Sequence, residues 1–225
     1  MKSEEFKKIE RYMLDCMKDS AHDCLHVYRV LYLALDISKE ERNIDEDVLI
    51  VACLLHDIGR NEQLANPLVC HAEAGAQRAY EILIEYGWPP TKAMHVRNCI
   101  LTHRFSSCSL PQSIEAKILF DADKLEAAGA IGVARCLVYE GLISEPLYSV
   151  DAVGYVLGER ESLEPSFIRE YNRKLKTVYE NFYTQKAKDI AVQRQEAAIN
   201  FYNSLLQEAS TTHDTGLKRL AEILE

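Results

Sequence analysis

Apolar residues recur along this chain at three- and four-residue spacings, and no stretch convincingly alternates apolar and polar with the period of two expected of a half-buried strand. The pattern predicts helices at about 5–18, 22–41, 45–58, 69–86, 91–104, 112–128, 129–140, 166–184, 186–209 and 213–224. Asn66–Pro67 and Pro89–Pro90 interrupt it, and Thr91 is placed to cap the helix that follows the second break. Residues 141–165 carry Gly141, Gly154, Gly158, Pro146 and Pro165 without sustained periodicity, which predicts a long connection. After it, Ala187, Ala191, Arg194, Ala198, Phe201 and Leu205 form one stripe expected to pack against the rest of the chain. The fold class is all-α. The organisation reads as a single domain over 1–225, with a core at about 20–140, a flexible connection at about 141–165 and C-terminal helices at about 166–225.

Composition narrows the setting. The longest apolar run, Val48–Leu55, is far too short to cross a bilayer, and the N-terminal MKSEEFKKIERYM lacks the apolar stretch of a secretory signal. The seven cysteines are odd in number, form no CxxC pair, and include Cys16, Cys53, Cys99 and Cys136 within helical patterns. They read as reduced thiols of a cytoplasmic protein. A formal net charge of −9 argues against duplex nucleic acid as a partner. It leaves a small anionic substrate open, because a metal ion and a few local arginines or lysines can reverse the field within one cleft.

At 100° per residue, each histidine can be placed against its helix's apolar stripe. His26 aligns with Val30, Leu33 and Ile37, with His22 one turn earlier; His56 continues Leu49–Cys53; His103 continues Val96–Ile100. His95 faces away from that last stripe and reads as solvated, as does His213. One inward histidine is ordinarily a hydrogen-bonded core residue. Three on different helices, one followed at once by Asp57, point instead to a divalent metal, which satisfies a buried carboxylate and the imidazoles together. The segment ILFDADKLEAAGAIG supplies a further carboxylate. Its helix is apolar on both faces, so Asp121 or Asp123 can look into the site, with periodicity slightly favouring Asp121.

Taken in order, HDCLHVYRV (22–30), LLHDIGR (54–60) and FDADKLEAAGAIG (120–132) resemble the HD superfamily of metal-dependent phosphohydrolases, with the C-terminal helices similar to a small bacterial branch. The resemblance implies an HD-domain helical bundle with additional C-terminal helices and a metal held by His26, His56, Asp57 and Asp123. Asp121 then becomes a residue that orients a ligand. It also implies that His71 and His103 hold a second metal bridged by Asp57, or else touch substrate. The HHE and GYP elements of the cyclic-dinucleotide phosphodiesterase branch are missing.

On that resemblance the expected activity is hydrolysis of a phosphoester or phosphoanhydride, most readily of a nucleotide, using Mn²⁺, Mg²⁺, Fe²⁺ or Ni²⁺, as one ion or two. Lys124, Arg60 and Arg104 adjoin the ligand positions and are the candidate phosphate contacts. His22 and Asp23 are candidates for proton transfer or ligand orientation beside Asp57. The connection at 141–165 is a candidate cover for the site. Two other classes share these residues: a di-iron oxygenase of similar ligand set, and a nucleotide-binding module without turnover. Oligomeric state is left open.

Overall fold

The computed structural model describes residues 1–17, 24–104, 110–158 and 164–225. Among them the chain is all-α, with ten α-helices, one 3₁₀ turn at Leu175–Thr177 and a single isolated antiparallel bridge between Val150 and Val156. None of the described helices is long and apolar enough to cross a membrane. The described cysteines, Cys16, Cys24, Cys53, Cys70, Cys99 and Cys136, are all free thiols.

The chain divides into two compact units. The first comprises Met1–Glu126 and Tyr183–Ala187, and the second Ala127–Phe182 and Lys188–Glu225. The first unit holds α1 (Ser3–Met17), α2 (Cys24–Ser38), α3 (Glu46–Leu55), α4 (Arg60–Ala65), α5 (His71–Glu85), α6 (Pro90–Leu101) and α7 (Ile114–Leu125). At its centre lies α3, apolar all round, with Val48, Leu49 and Val51–Leu55 buried against α1, α2, α5, α6 and α7. Side-chain caps set where these helices begin. Asp45 accepts from the Val48 amide at the start of α3, and Ser113 accepts from the Ala116 amide to start α7. Helix α5 ends at Tyr86 before Gly87, whose φ of +82° is open to glycine at no steric cost. Pro90 itself opens α6 at its first position, so Thr91 lies inside the helix and does not cap it.

The second unit contains α8 (Gly129–Leu142), α9 (Phe167–Arg173), the 3₁₀ turn and most of α10 (Gln185–Leu224). Its core is Val133, Phe167, Ile168, Tyr171, Leu175, Ala198 and Tyr202, with the Tyr171 and Tyr202 rings stacked at 4.1 Å. Three expectations are corrected here. The segments at 186–209 and 213–224 are one helix of 40 residues, since nothing between them breaks the backbone pattern. The segment at 166–184 contains only the short α9 and the 3₁₀ turn. On α10, Ala187, Ala191 and Ala198 are buried as expected, but Phe201 is 40% exposed and Tyr202 takes the inward position four residues after Ala198.

Candidate metal centre

Five segments of the first unit converge. His26 comes from the start of α2, His56 from the residue capping the end of α3, Asp57 from the turn that follows, His71 from the first residue of α5, His103 from just beyond α6, and Asp123 from the last turn of α7. These residues fall into two donor groups, His26–His56–Asp123 and Asp57–His71–His103. Within each, the ligating atoms lie within 4.8 Å of one another, a spacing that could hold a metal ion. Four imidazoles run in sequence through both groups, with centroids 5.3, 5.2 and 5.3 Å apart from His26 to His56 to His103 to His71.

The ring nitrogens facing away from the centre decide what the inner nitrogens offer. His56 Nδ1 donates to the Cys53 carbonyl at 2.8 Å, and His103 Nδ1 to the Ile100 carbonyl at 2.6 Å. Both histidines follow the last turn of a helix, where carbonyls lack an intrahelical partner. His26 and His71 lie at helix starts, where the unpaired groups are amides, so each takes a side-chain acceptor. His71 Nδ1 donates to Gln63 Oε1 at 2.7 Å, and His26 Nδ1 to Glu126 Oε2 at 3.3 Å. Four Nε2 atoms are thereby turned inward.

Burial pushes the His56 imidazole down to about 4 and, with help from the nearby Arg60 charge, His71 down to about 3. Both rings are therefore neutral near pH 7 and present lone pairs. His56 Nε2 faces His26 Nε2 at 3.4 Å, and His71 Nε2 faces His103 Nε2 at 3.3 Å. Between them lies Asp57, 1% exposed, its Oδ2 buried without a hydrogen-bond partner, 3.7 Å from His26 Nε2 and 3.6 Å from His56 Nε2. Lone pairs and an orphaned carboxylate oxygen gathered in a buried space are what a divalent cation satisfies, so this donor set fits a metal.

The carboxylates are tuned to match. Burial alone would raise Asp57, but the surrounding imidazoles, His56 foremost, and the Arg60 guanidinium hold it well below the usual carboxylate range. Asp123 is likewise held low against burial, by His26 at 3.2 Å and His56 at 3.9 Å. Its side chain is 23% exposed, against 0–3% for His26, His56, Asp57, His71 and His103, so Asp123 marks the side open to solvent.

The expected cationic residues take distinct positions. Arg60 Nε donates to Asp57 Oδ1 at 2.9 Å, on the oxygen that also faces His71 at 3.5 Å and His103 at 3.7 Å. Arg104 Nη1 lies 3.7 Å from the Cys70 thiol, beside His71. Lys124 is 8% exposed, with Nζ 5.7 Å from the Phe120 ring centroid.

Asp121 is placed elsewhere. It is fully buried and accepts from the Tyr183 and Thr184 amides and the Thr184 hydroxyl, at 2.7–3.1 Å, where α10 begins. These bonds tie Asp121 to that segment rather than to the six donors. His22 and Asp23 lie outside the described residues. His95 is paired with the buried Glu115 at 3.1 Å, and His213 bonds the Gly154 carbonyl at 2.9 Å, so neither is simply solvated. Sequence reasoning missed Gln63, Glu126 and Arg29. Only Glu126 had a local signal, as a charged residue in an otherwise apolar stretch.

Residues 25–128 match the family model of the HD domain. YpgQ of Bacillus subtilis is 28% identical over 192 residues, 84% of each chain. Its crystal structure aligns with a TM-score of 0.70 at 25% identity over 91% of this chain and 95% of that one, and YpgQ has also been solved in complex with ADP. A predicted HD-superfamily hydrolase from an uncultured Thermotogales bacterium aligns at 29% identity and TM-score 0.59 over 92% of both chains. An HD-superfamily hydrolase from Bacillus thuringiensis aligns at 25% identity and TM-score 0.71 over 92% of this chain and 98% of that one.

Proposed function

The chain belongs to the HD superfamily, and from that premise we propose that it is a metal-dependent phosphohydrolase cleaving a phosphoester or phosphoanhydride of a nucleotide. The observation that carries this reading is the inward set of four imidazole Nε2 atoms around Asp57 and Asp123, with every Nδ1 held by an acceptor. The nucleotide rests on the ADP complex of YpgQ.

His26, His56, Asp57 and Asp123 would hold the ion, and the imidazole-rich set suits Mn²⁺, Fe²⁺ or Ni²⁺ better than Mg²⁺. When bound, such an ion supplies positive charge that polarises a phosphoryl oxygen and acidifies water. The chain's own residues position the reactants. Arg60 keeps Asp57 ionised and aimed, and its remaining N–H groups, with Arg104 and Lys124, offer charge to a phosphate.

His71 and His103 admit two roles, and the split of Asp57 supports weighing both. Oδ2 faces His26 and His56, whereas Oδ1 faces His71, His103 and Arg60. Two ions bound per chain would assign them to metal; one would assign them to substrate phosphate.

The test is release of phosphate and pyrophosphate from a nucleotide panel with Mn²⁺, comparing wild type with Asp57→Ala. Metal-dependent release lost in the variant supports the reading. No release from any substrate with metal bound stoichiometrically overturns it, in favour of iron and O₂ chemistry or of nucleotide binding without turnover.

A further inference from the structure

Resting on the metal-dependent reading above, we propose that Glu126 and Arg29 form a positioning pair that holds His26 in the tautomer required of a metal ligand. Glu126 caps the end of α7, three residues after Asp123, and is 2% exposed. Its Oε2 accepts from His26 Nδ1 at 3.3 Å and from Arg29 Nε at 2.7 Å. Arg29 lies three residues after His26 on α2, which puts both side chains on neighbouring positions of one face.

A buried carboxylate shared between an arginine and a histidine is more than a tie between helices. The Arg29–Glu126 pair would join α2 to α7 without any imidazole. What the imidazole gains is an acceptor that its own position denies it. His56 and His103 use helix-end carbonyls, but His26 is the third residue of α2, where amides and not carbonyls lack partners. The Glu126 acceptor favours the proton on Nδ1, and an Nε2–H cannot ligate. The Arg29 guanidinium donates to the same Glu126 oxygen, so that oxygen is held in place as the acceptor facing His26. Arg29, 31% exposed, fixes the carboxylate's orientation from the outer side.

The experiment uses the full chain. Long-range ¹H–¹⁵N NMR reads the His26 tautomer in metal-free protein, and calorimetric titration reads Mn²⁺ affinity, for wild type, Glu126→Ala, Glu126→Gln, Arg29→Ala and Arg29→Ala/Glu126→Ala. The expected results are Nδ1–H in wild type, a shift towards Nε2–H in Glu126→Ala, and an affinity loss of about 10–100-fold. Glu126→Gln, which keeps the volume and one acceptor, should restore part of both readouts and serves if the alanine variant does not fold. Arg29→Ala should lose less, and the double variant no more than Glu126→Ala alone. Unchanged tautomer and affinity in a folded Glu126 variant, whatever its thermal stability, would overturn the proposal. Should wild type fail to bind Mn²⁺, the metal reading falls while the tautomer comparison still decides the role of Glu126.

Discussion

Gly59 and Gly75 bring two backbones into direct contact. A Cβ built on Gly59 would lie 2.6 Å from the Gly75 nitrogen and 2.3 Å from the His71 carbonyl oxygen. The turn after Asp57 and the first turns of α5 are thus pressed together, which sets His71 beside Asp57. Gly59→Ala must push α5 away, and we expect it to cost upwards of about 3 kcal/mol in urea unfolding. Gly75→Ala meets its nearest atom at 3.2 Å and gains helix propensity, so its cost should be far smaller. Equal unfolding midpoints for the two variants would contradict this account of the turn.

Metal should stabilise the fold in proportion to its affinity. A ligand that binds only the folded chain adds about 2.7 kcal/mol at 100 times its Kd. Thermal unfolding with added Mn²⁺ should therefore shift upward in wild type, and chelation should reverse the shift. Asp57→Ala and His56→Ala should show no shift. A wild-type Tm indifferent to Mn²⁺ and to chelator would count against the donor set.

Asp121 and Asp123 stand two residues apart and should fail in different ways. Asp121→Ala leaves the Tyr183 and Thr184 amides without their carboxylate, so it should lose about 2–4 kcal/mol of stability while keeping Mn²⁺ binding. Asp123→Ala should lose the metal with little change in the unfolding of metal-free protein. Calorimetric titration beside urea unfolding separates the two, and a reversed pattern would exchange their roles.

Stability in the second unit should depend on pH through Glu140. This residue is 5% exposed, and burial with the neighbouring Glu145 and Glu170 carboxylates raises its carboxyl from 4.5 to about 7. Between those values the folded chain holds a proton that the unfolded chain releases. The contribution is therefore complete below about 4.5 and is lost as pH rises through about 7. Glu140→Gln should accordingly be more stable than wild type at pH 8, by roughly 1–2 kcal/mol, with the advantage vanishing near pH 4. Denaturant midpoints measured across that range check the sign. A difference that stays constant with pH would assign the Glu140 effect to packing.

Sequence periodicity revealed much of this architecture, and its failures share one cause. The stripes placed His26, His56 and His103 inward because a repeating apolar face says which side of a helix is buried. They do not say what covers that side. Asp121 and Asp123 were both readable as inward, yet the neighbour that claims Asp121 is a segment more than 60 residues downstream. His95 looked solvated because Glu115, its partner, lies on another helix. His71 has no preceding turn of its own helix, so only the family resemblance marked it. Gln63 and Arg29 carry no pattern at all; their positions follow from which helix ends leave carbonyls free.

The span between His26 and Glu126 has a consequence for how the protein is made. Their contact joins positions 100 residues apart, and between them His56 with Asp57, His71 and His103 come from three further segments, with Asp123 on α7 itself. During synthesis, a chain that has emerged only through His103 carries five of the six donors but lacks Asp123 and the acceptor for His26. Ion capture should thus be timed to the emergence of α7, making the metal a late arrival that selects finished molecules over partial ones.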